Sequence, residues 1–130
     1  MYNLNGREDE STVNLSVQVV PRIFGYQGEM RYEFTQADEL VGVASVCVDE
    51  TSYFINFLNV MPGNRGKGYG SKILEMLCQM LDDKPITLEL DKGSPFGMEN
   101  LRTWYSRHGF VSTNEDWMIR HPSGSHIHQA

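Results

Sequence analysis

A chain of 130 residues has room for one hydrophobic core and hardly for a second. With 40% hydrophobic and 22% charged residues it is composed like an ordinary water-exposed globular domain, and no apolar run approaches the ~20 residues that a membrane-spanning helix needs. The formal charge of −6 argues against holding nucleic acid by blanket phosphate neutralisation, and it suits a cationic partner such as an amine.

Residues 1–12 are polar, carry the acidic run Glu8, Asp9, Glu10, and are expected to be a flexible N-terminus. They lack the basic-then-apolar layout of an export signal, so the cytoplasm is the default compartment. The stretch TVNLSVQVV, 12–20, alternates and is β-branched, which predicts a strand stopping at Pro21. EMRYEFT and ELVGVASVCV follow with QADE between them as turn chemistry, an antiparallel hairpin pattern, and YFINFLNV reads as a fourth strand. From Gly68 the period changes. Ile73, Leu74, Leu77, Cys78 and Leu81 recur at helical spacing opposite Lys72, Glu75, Gln79 and Asp82, so one stripe of an amphipathic helix is buried. Cys47 lies in an apolar strand and Cys78 on the apolar side of this helix, and both read as reduced core thiols.

After Lys84-Pro85, ITLEL is a fifth strand and DKGSPFG a loop. MENLRTWYSRH forms a second helix closed by Gly109 at its C′ position, and FVSTNEDWMIRH gives two short strands around an Asn-Glu-Asp turn. The tail 122–130 is expected to be flexible, and His121, His126 and His128 offer no spaced set of four ligands, so no metal site is expected. The element order predicts one domain over 13–121, of the α/β (α+β) class, a mixed sheet with helices on its faces.

The loop GNRGKGYGSK sits between the fourth strand and the first helix. A P-loop needs Lys-Ser/Thr after its second glycine, but Tyr69-Gly70 follows Gly68; a dinucleotide fingerprint begun at Gly66 needs a third glycine where Ser71 stands. What remains is Arg65-x-x-Gly68-x-Gly70 at a helix N-terminus, where bare backbone N–H groups and the dipole can hold a pyrophosphate. A turn that only needs positive φ angles is the alternative.

LNVMPGNRGKGYGSKIL resembles the acetyl-CoA-binding motif of the GNAT acyltransferase superfamily: a hydrophobic strand ending in Val, a Pro-containing loop, Arg/Gln-x-x-Gly-x-Gly/Ala, then an amphipathic helix. LRTWYSRHGFV is similar to the later helix of that family, with Tyr105 and the closing Gly109-Phe110. The resemblance spans roughly residues 53–111 and implies a mostly antiparallel mixed sheet of six or seven strands whose central pair splays to hold acyl-CoA. It implies a cradle made by Arg65, Gly66, Lys67, Gly68, Tyr69, Gly70 and Ser71, with the backbone of Leu58 and Val60 along the cofactor arm. The main-chain N–H of Leu58 would stabilise the thioester oxygen, and Tyr105 would protonate the departing thiolate.

For the base, the family's position at the start of the fourth strand holds Tyr53 and Phe54, which cannot accept a proton. Glu89, in the strand context LEL, matches the family's other location; strand alternation puts it with Asp91 and Thr87 on the polar face, either towards the cleft or on a solvent-exposed face. The family often has an Asn seven residues before the helix Tyr; here that position is Met98, and Asn100 or Ser94 is the expected substitute. Only PRIFGYQG separates the first two strands, where the family usually inserts two helices that wall the acceptor site. The expectation is an N-acetyltransferase moving acetyl from acetyl-CoA to a primary amine, with the short wall favouring a protein or other macromolecular acceptor, in a monomer or homodimer. The rival readings are a CoA-binding module without catalysis and an acyltransferase acting on nucleic acid through Lys92, Arg102 and Arg107.

Overall fold

The computed structural model describes residues 14–21 and 28–124. The segments 1–13, 22–27 and 125–130 lie outside them, and with them the expected N-terminal flexibility, most of the PRIFGYQG connection, and His126 and His128. In chain order come β1 (Ser16–Pro21), β2 (Glu29–Gln36), β3 (Glu39–Val48), β4 (Tyr53–Val60), a 3-10 turn (Pro62–Asn64), α1 (Tyr69–Met80), β5 (Ile86–Glu89), α2 (Met98–Ser106), β6 (Val111–Ser112) and β7 (Trp117–Arg120). They form a seven-stranded sheet in the order β1-β2-β3-β4-β5-β7-β6. Every pairing is antiparallel except β4 with β5, the pair that α1 connects.

Local chemistry sets these elements. The β2–β3 hairpin turns at Ala37 and Asp38, both at positive φ (52° and 68°), the handedness a two-residue hairpin turn needs to match strand twist. Pro21 ends β1 from inside rather than stopping it one residue earlier. It can do so because β1 is an edge strand and its outer side needs no N–H. On one face of the sheet, Tyr32 and Phe34 of β2, Ala44 and Val46 of β3, Ile55 of β4, Ile86 and Leu88 of β5 and Met118 of β7 meet Ile73, Leu74, Leu77 and Cys78 of α1 in one apolar cluster. The helix lies close: a Cβ on Gly42 would come within 2.4 Å of Ile73 Cδ1. Cys47 falls on the other face and is half-buried, its Sγ accepting a bond from Asn56 Nδ2 at 3.0 Å, so only Cys78 is a core thiol; both are free.

The end of α2 is a Schellman turn. Phe110 N–H donates to the Tyr105 carbonyl at 3.3 Å and Gly109 N–H to that of Ser106 at 3.2 Å, with Gly109 at φ +93° as the C′ residue. Phe110, 1% exposed, packs its ring against Tyr105 with centroids 5.5 Å apart. Gly109→Ala is expected to cost about 1–2 kcal/mol, read as a lowered urea midpoint at unchanged m-value. A Cβ there would meet the Arg120 side chain at an ordinary 3.5 Å, so the loss comes from the backbone angle alone. Among the described residues no helix is long and apolar enough to cross a membrane.

Candidate active site

The site begins where β4 and β5 part. Their parallel register runs Tyr53↔Ile86, Phe54↔Thr87, Ile55↔Leu88 and goes no further. On its other side β4 pairs Ile55 with Val46 and Phe57 with Ser45, which leaves Asn56 as an extra residue, a β-bulge. A bulge bends its strand and raises the local twist, so β4 turns away from β5 immediately after the last shared pair. Asn56 is pinned there: its Nδ2 donates to Ser45 Oγ at 3.1 Å as well as to Cys47.

Beyond the bulge, backbone direction can be followed from one bond. Met61 N–H donates to the Val41 carbonyl at 2.9 Å, so alternation turns the N–H groups of Val60 and Leu58 away from β3, towards the opened side. The Val60 carbonyl on that side accepts Arg65 Nε at 2.9 Å, and Arg65 Nη2 donates to Asn59 Oδ1 at 3.1 Å. Arg65 thus folds back onto the strand end and fixes the loop that follows.

A cleft of about 1010 Å³ occupies the split. Of the twelve residues expected from sequence, it is lined by all but Lys67 and Tyr69. Lys67 is exposed, and the Tyr69 hydroxyl donates to Gln36 Oε1, tying α1 to the β2–β3 turn. Gly66 and Gly68 have φ +79° and +84° with no atom within 4 Å of a Cβ position, whereas Gly63 has no positive φ. Gly68 is the N-cap of α1, with no side-chain cap and no acidic residue in the first turn, so the leading N–H groups and the dipole end stay available to an anion.

Two further residues shape the cleft. Trp104 Nε1 donates to Ser71 Oγ at 2.9 Å, and its ring lies where a Cβ on Gly70 would touch Cζ2 at 3.6 Å. Accepting that bond leaves the Ser71 hydroxyl proton free to donate into the cleft. Neither the Trp104 bridge nor the Asn56 bulge was assigned from sequence. For Asn56 a signal exists: Asn56 and Asn59 stand three apart in a strand of period two, a spacing that a single inserted residue reconciles. For Trp104 the sequence holds none, because its partner is 33 residues away.

Tyr105 lines the cleft between the rings of Trp104 and Phe110, at 4.9 and 5.5 Å. Burial, with the Asp91 carboxylate adding to it, pushes its phenol up to about 12, and the hydroxyl has no hydrogen-bond partner among the described residues. Glu89 is exposed at the end of β5 and lines the same cleft. Asn100 lines it too, its Nδ2 closing the loop onto the Phe96 carbonyl at 2.7 Å, while Met98 packs against the core. His108 lies in a separate small hollow with Arg120 and His121, and burial lowers its pKa. Tyr53, at the start of β4, is buried and donates to Asp83 Oδ1 at 2.6 Å.

A model of the acetyltransferase (GNAT) domain matches residues 30–112. Among solved structures, a GNAT family acetyltransferase from Elizabethkingia anophelis with acetyl-CoA bound superposes with a TM-score of 0.64 at 10% identity, covering 85% of this chain and 99% of that one. A Bacillus subtilis acetyltransferase in complex with CoA gives 0.63 at 13% identity, covering 83% and 99%. The ribosomal-protein-S18-alanine N-acetyltransferase from Escherichia coli gives 0.60 at 18% identity, covering 73% and 68%. At these identities the likeness is one of fold. No curated protein matches the chain by sequence.

Proposed function

The chain belongs to the GNAT acetyltransferase family, and from that premise we propose that it transfers an acetyl group from acetyl-CoA to a primary amine by direct attack. The observation that carries this reading is the convergence on one cleft of the glycine turn at the start of α1, the unpaired edge of β4, Tyr105 and Glu89. The first-turn N–H groups of α1 and the Ser71 hydroxyl hold the pyrophosphate. The Leu58 N–H donates to the thioester oxygen as it gains charge, and the Val60 N–H bonds the pantetheine arm. Glu89 takes a proton from the acceptor ammonium, directly or through water, and Tyr105 gives its own to the departing thiolate. Asn100 Oδ1, left free by the Nδ2 bond, substitutes for the arm contact that Met98 cannot make.

Among the described residues the acceptor side is open, with Phe57 45% exposed on the cleft wall, which favours an amine carried by a protein or other macromolecule over an enclosed metabolite. The nucleic-acid reading loses support from two of the three basic residues it needs. Lys92 pairs with Asp116 at 3.3 Å, and Arg102 is bonded to the Glu115 carbonyl at 3.0 Å and to Glu99 at 3.3 Å. Thiol release from acetyl-CoA with pooled amines and peptides, run beside a direct measurement of CoA binding, tests the proposal. Tight binding with no turnover on any pool would replace the enzyme by a CoA-binding module.

Trp104→Phe removes the bond to Ser71 together with the outer indole ring, whose Cζ2 lies over Gly70. KM for acetyl-CoA is expected to rise at least about fivefold with kcat little changed, one lost hydrogen bond of about 1 kcal/mol setting the lower bound. Ser71→Ala loses that bond together with the hydroxyl's own contact to the pyrophosphate, so KM should rise there too, and the double variant should fall short of the two effects added.

A further inference from the structure

Glu89 has aromatic company. It pairs in register with Trp117 of β7, while its strand neighbour Thr87 pairs with Phe54 on β4 and Ile119 on β7. Alternation places Phe54, Thr87, Glu89 and Trp117 on the face opposite the one that α1 covers, since Ile86 and Leu88 point into the core. The Phe54 and Trp117 rings meet across Thr87 with centroids 5.6 Å apart and planes tilted by 35°. Both are only half-buried, so part of each ring faces solvent. Because β4 leaves β5 after Ile55, the side of Glu89 away from Trp117 opens onto the cleft, which Phe54 also lines. The Glu89 carboxylate has no hydrogen bond or ion pair among the described residues, whereas nearby Asp116 is neutralised by Lys92 at 3.3 Å.

An unpaired carboxylate beside two partly exposed rings has a definite preference. Ring faces attract a cation within ~6 Å of their centroid, the carboxylate adds a full opposite charge, and the flat carbon surface accepts methylenes. A neutral arylamine would gain the contact without the charge. We propose that Phe54, Trp117 and Glu89 receive the acceptor, and that the acceptor is a protonated alkylamine whose aliphatic stem lies on the two rings while its ammonium reaches Glu89. The assignment deepens the acyltransfer reading and rests on it. Phe54 and Trp117 are specificity-determining residues, and Glu89 serves both to hold the ammonium and to take its proton.

The test uses choline, a cation that cannot be acetylated on nitrogen, and its neutral isostere 3,3-dimethylbutan-1-ol, with the full chain saturated in acetyl-CoA. The chain has two tryptophans, so Trp117→Phe assigns the two indole N–H resonances. Choline is expected to shift the Trp117 indole saturably, and the isostere to shift it at least about threefold more weakly at equal concentration. In turnover, Trp117→Leu should raise KM for propylamine by about threefold to thirtyfold with KM for acetyl-CoA unchanged, and Trp117→Phe should restore most of the loss. Equal response to choline and the isostere, or none to either while acetyl-CoA still binds, overturns the proposal alone. Failure to bind acetyl-CoA overturns the acyltransfer reading, and with it the assignment of this surface to an acceptor.

Discussion

Tyr105→Phe is expected to lower kcat by about 10²- to 10⁴-fold, the usual worth of a positioned general acid, with KM for acetyl-CoA within about twofold of the parent. The ring contacts with Trp104 and Phe110 survive the change, so the melting temperature should barely move. What is lost is one proton at one place. With its phenol pushed up to about 12, Tyr105 is a neutral donor throughout the range in which an amine acceptor can be assayed. It should therefore contribute no alkaline limb to the rate profile below about pH 10, and any limb seen there belongs to another group. The linkage has a definite sign. The folded phenol holds its proton more tightly than the unfolded one, so its contribution to stability is full below about pH 10 and is lost as pH rises through about 12. His108 cannot take over, being in a separate hollow with its pKa lowered by burial. A kcat within about fivefold of the parent would move the acid role away from Tyr105 and leave thiolate departure to solvent.

Most of the framework was legible because its signals are local. Period-two and period-3.6 patterns marked the strands and α1, the Gly-Phe pair marked the end of α2, and the spacing of Arg65, Gly68 and Gly70 marked the glycine turn that lines the cleft. The Schellman turn illustrates why: every bond that defines it lies within six consecutive residues, 105 to 110. What escaped the sequence was long-range. Cys47 alternates with core residues, yet its exposure depends on what covers the second face of the sheet, which one strand cannot tell. The splay of β4 from β5 depends on a bulge, and the Asn56–Asn59 spacing that hints at one does not say which partner strand it fails to match residue for residue. The Trp104–Ser71 bond joins two helices whose approach is set by the whole sheet. Glu89 shows the intermediate case. Alternation fixed its face, and only the point at which β4 diverges opens one side of that face onto a cleft.

Gly70→Val is expected to raise the Kd for acetyl-CoA by at least about a hundredfold while the protein stays folded, because Gly68 and Gly70 are bare for different reasons. Gly68 sits at φ +84° with open space around it. Any side chain there strains the backbone by about 1–2 kcal/mol, more for a β-branched one, so Gly68→Val should lose stability and binding together and separates nothing. Gly70 is different. It is the second residue of α1, without a positive φ, and a methyl there would sit 3.6 Å from Trp104 and 3.7 Å from Val60, ordinary contacts with two residues that line the cleft. Alanine therefore fits the empty protein, and by stiffening the unfolded chain it should add about 0.5 kcal/mol of stability. Its methyl would nonetheless stand between Trp104 and Val60, where a pyrophosphate held at the helix N-terminus would have to approach. Opposite signs are the test: Gly70→Ala should melt higher than the parent and bind acetyl-CoA about tenfold more weakly, and Gly70→Val should extend the second effect. Gly63→Ala, with nothing within 4 Å, is the control expected to alter neither. If Gly70→Ala gains stability and keeps its affinity, the pyrophosphate is not held at the start of α1, and the glycine turn is only a turn.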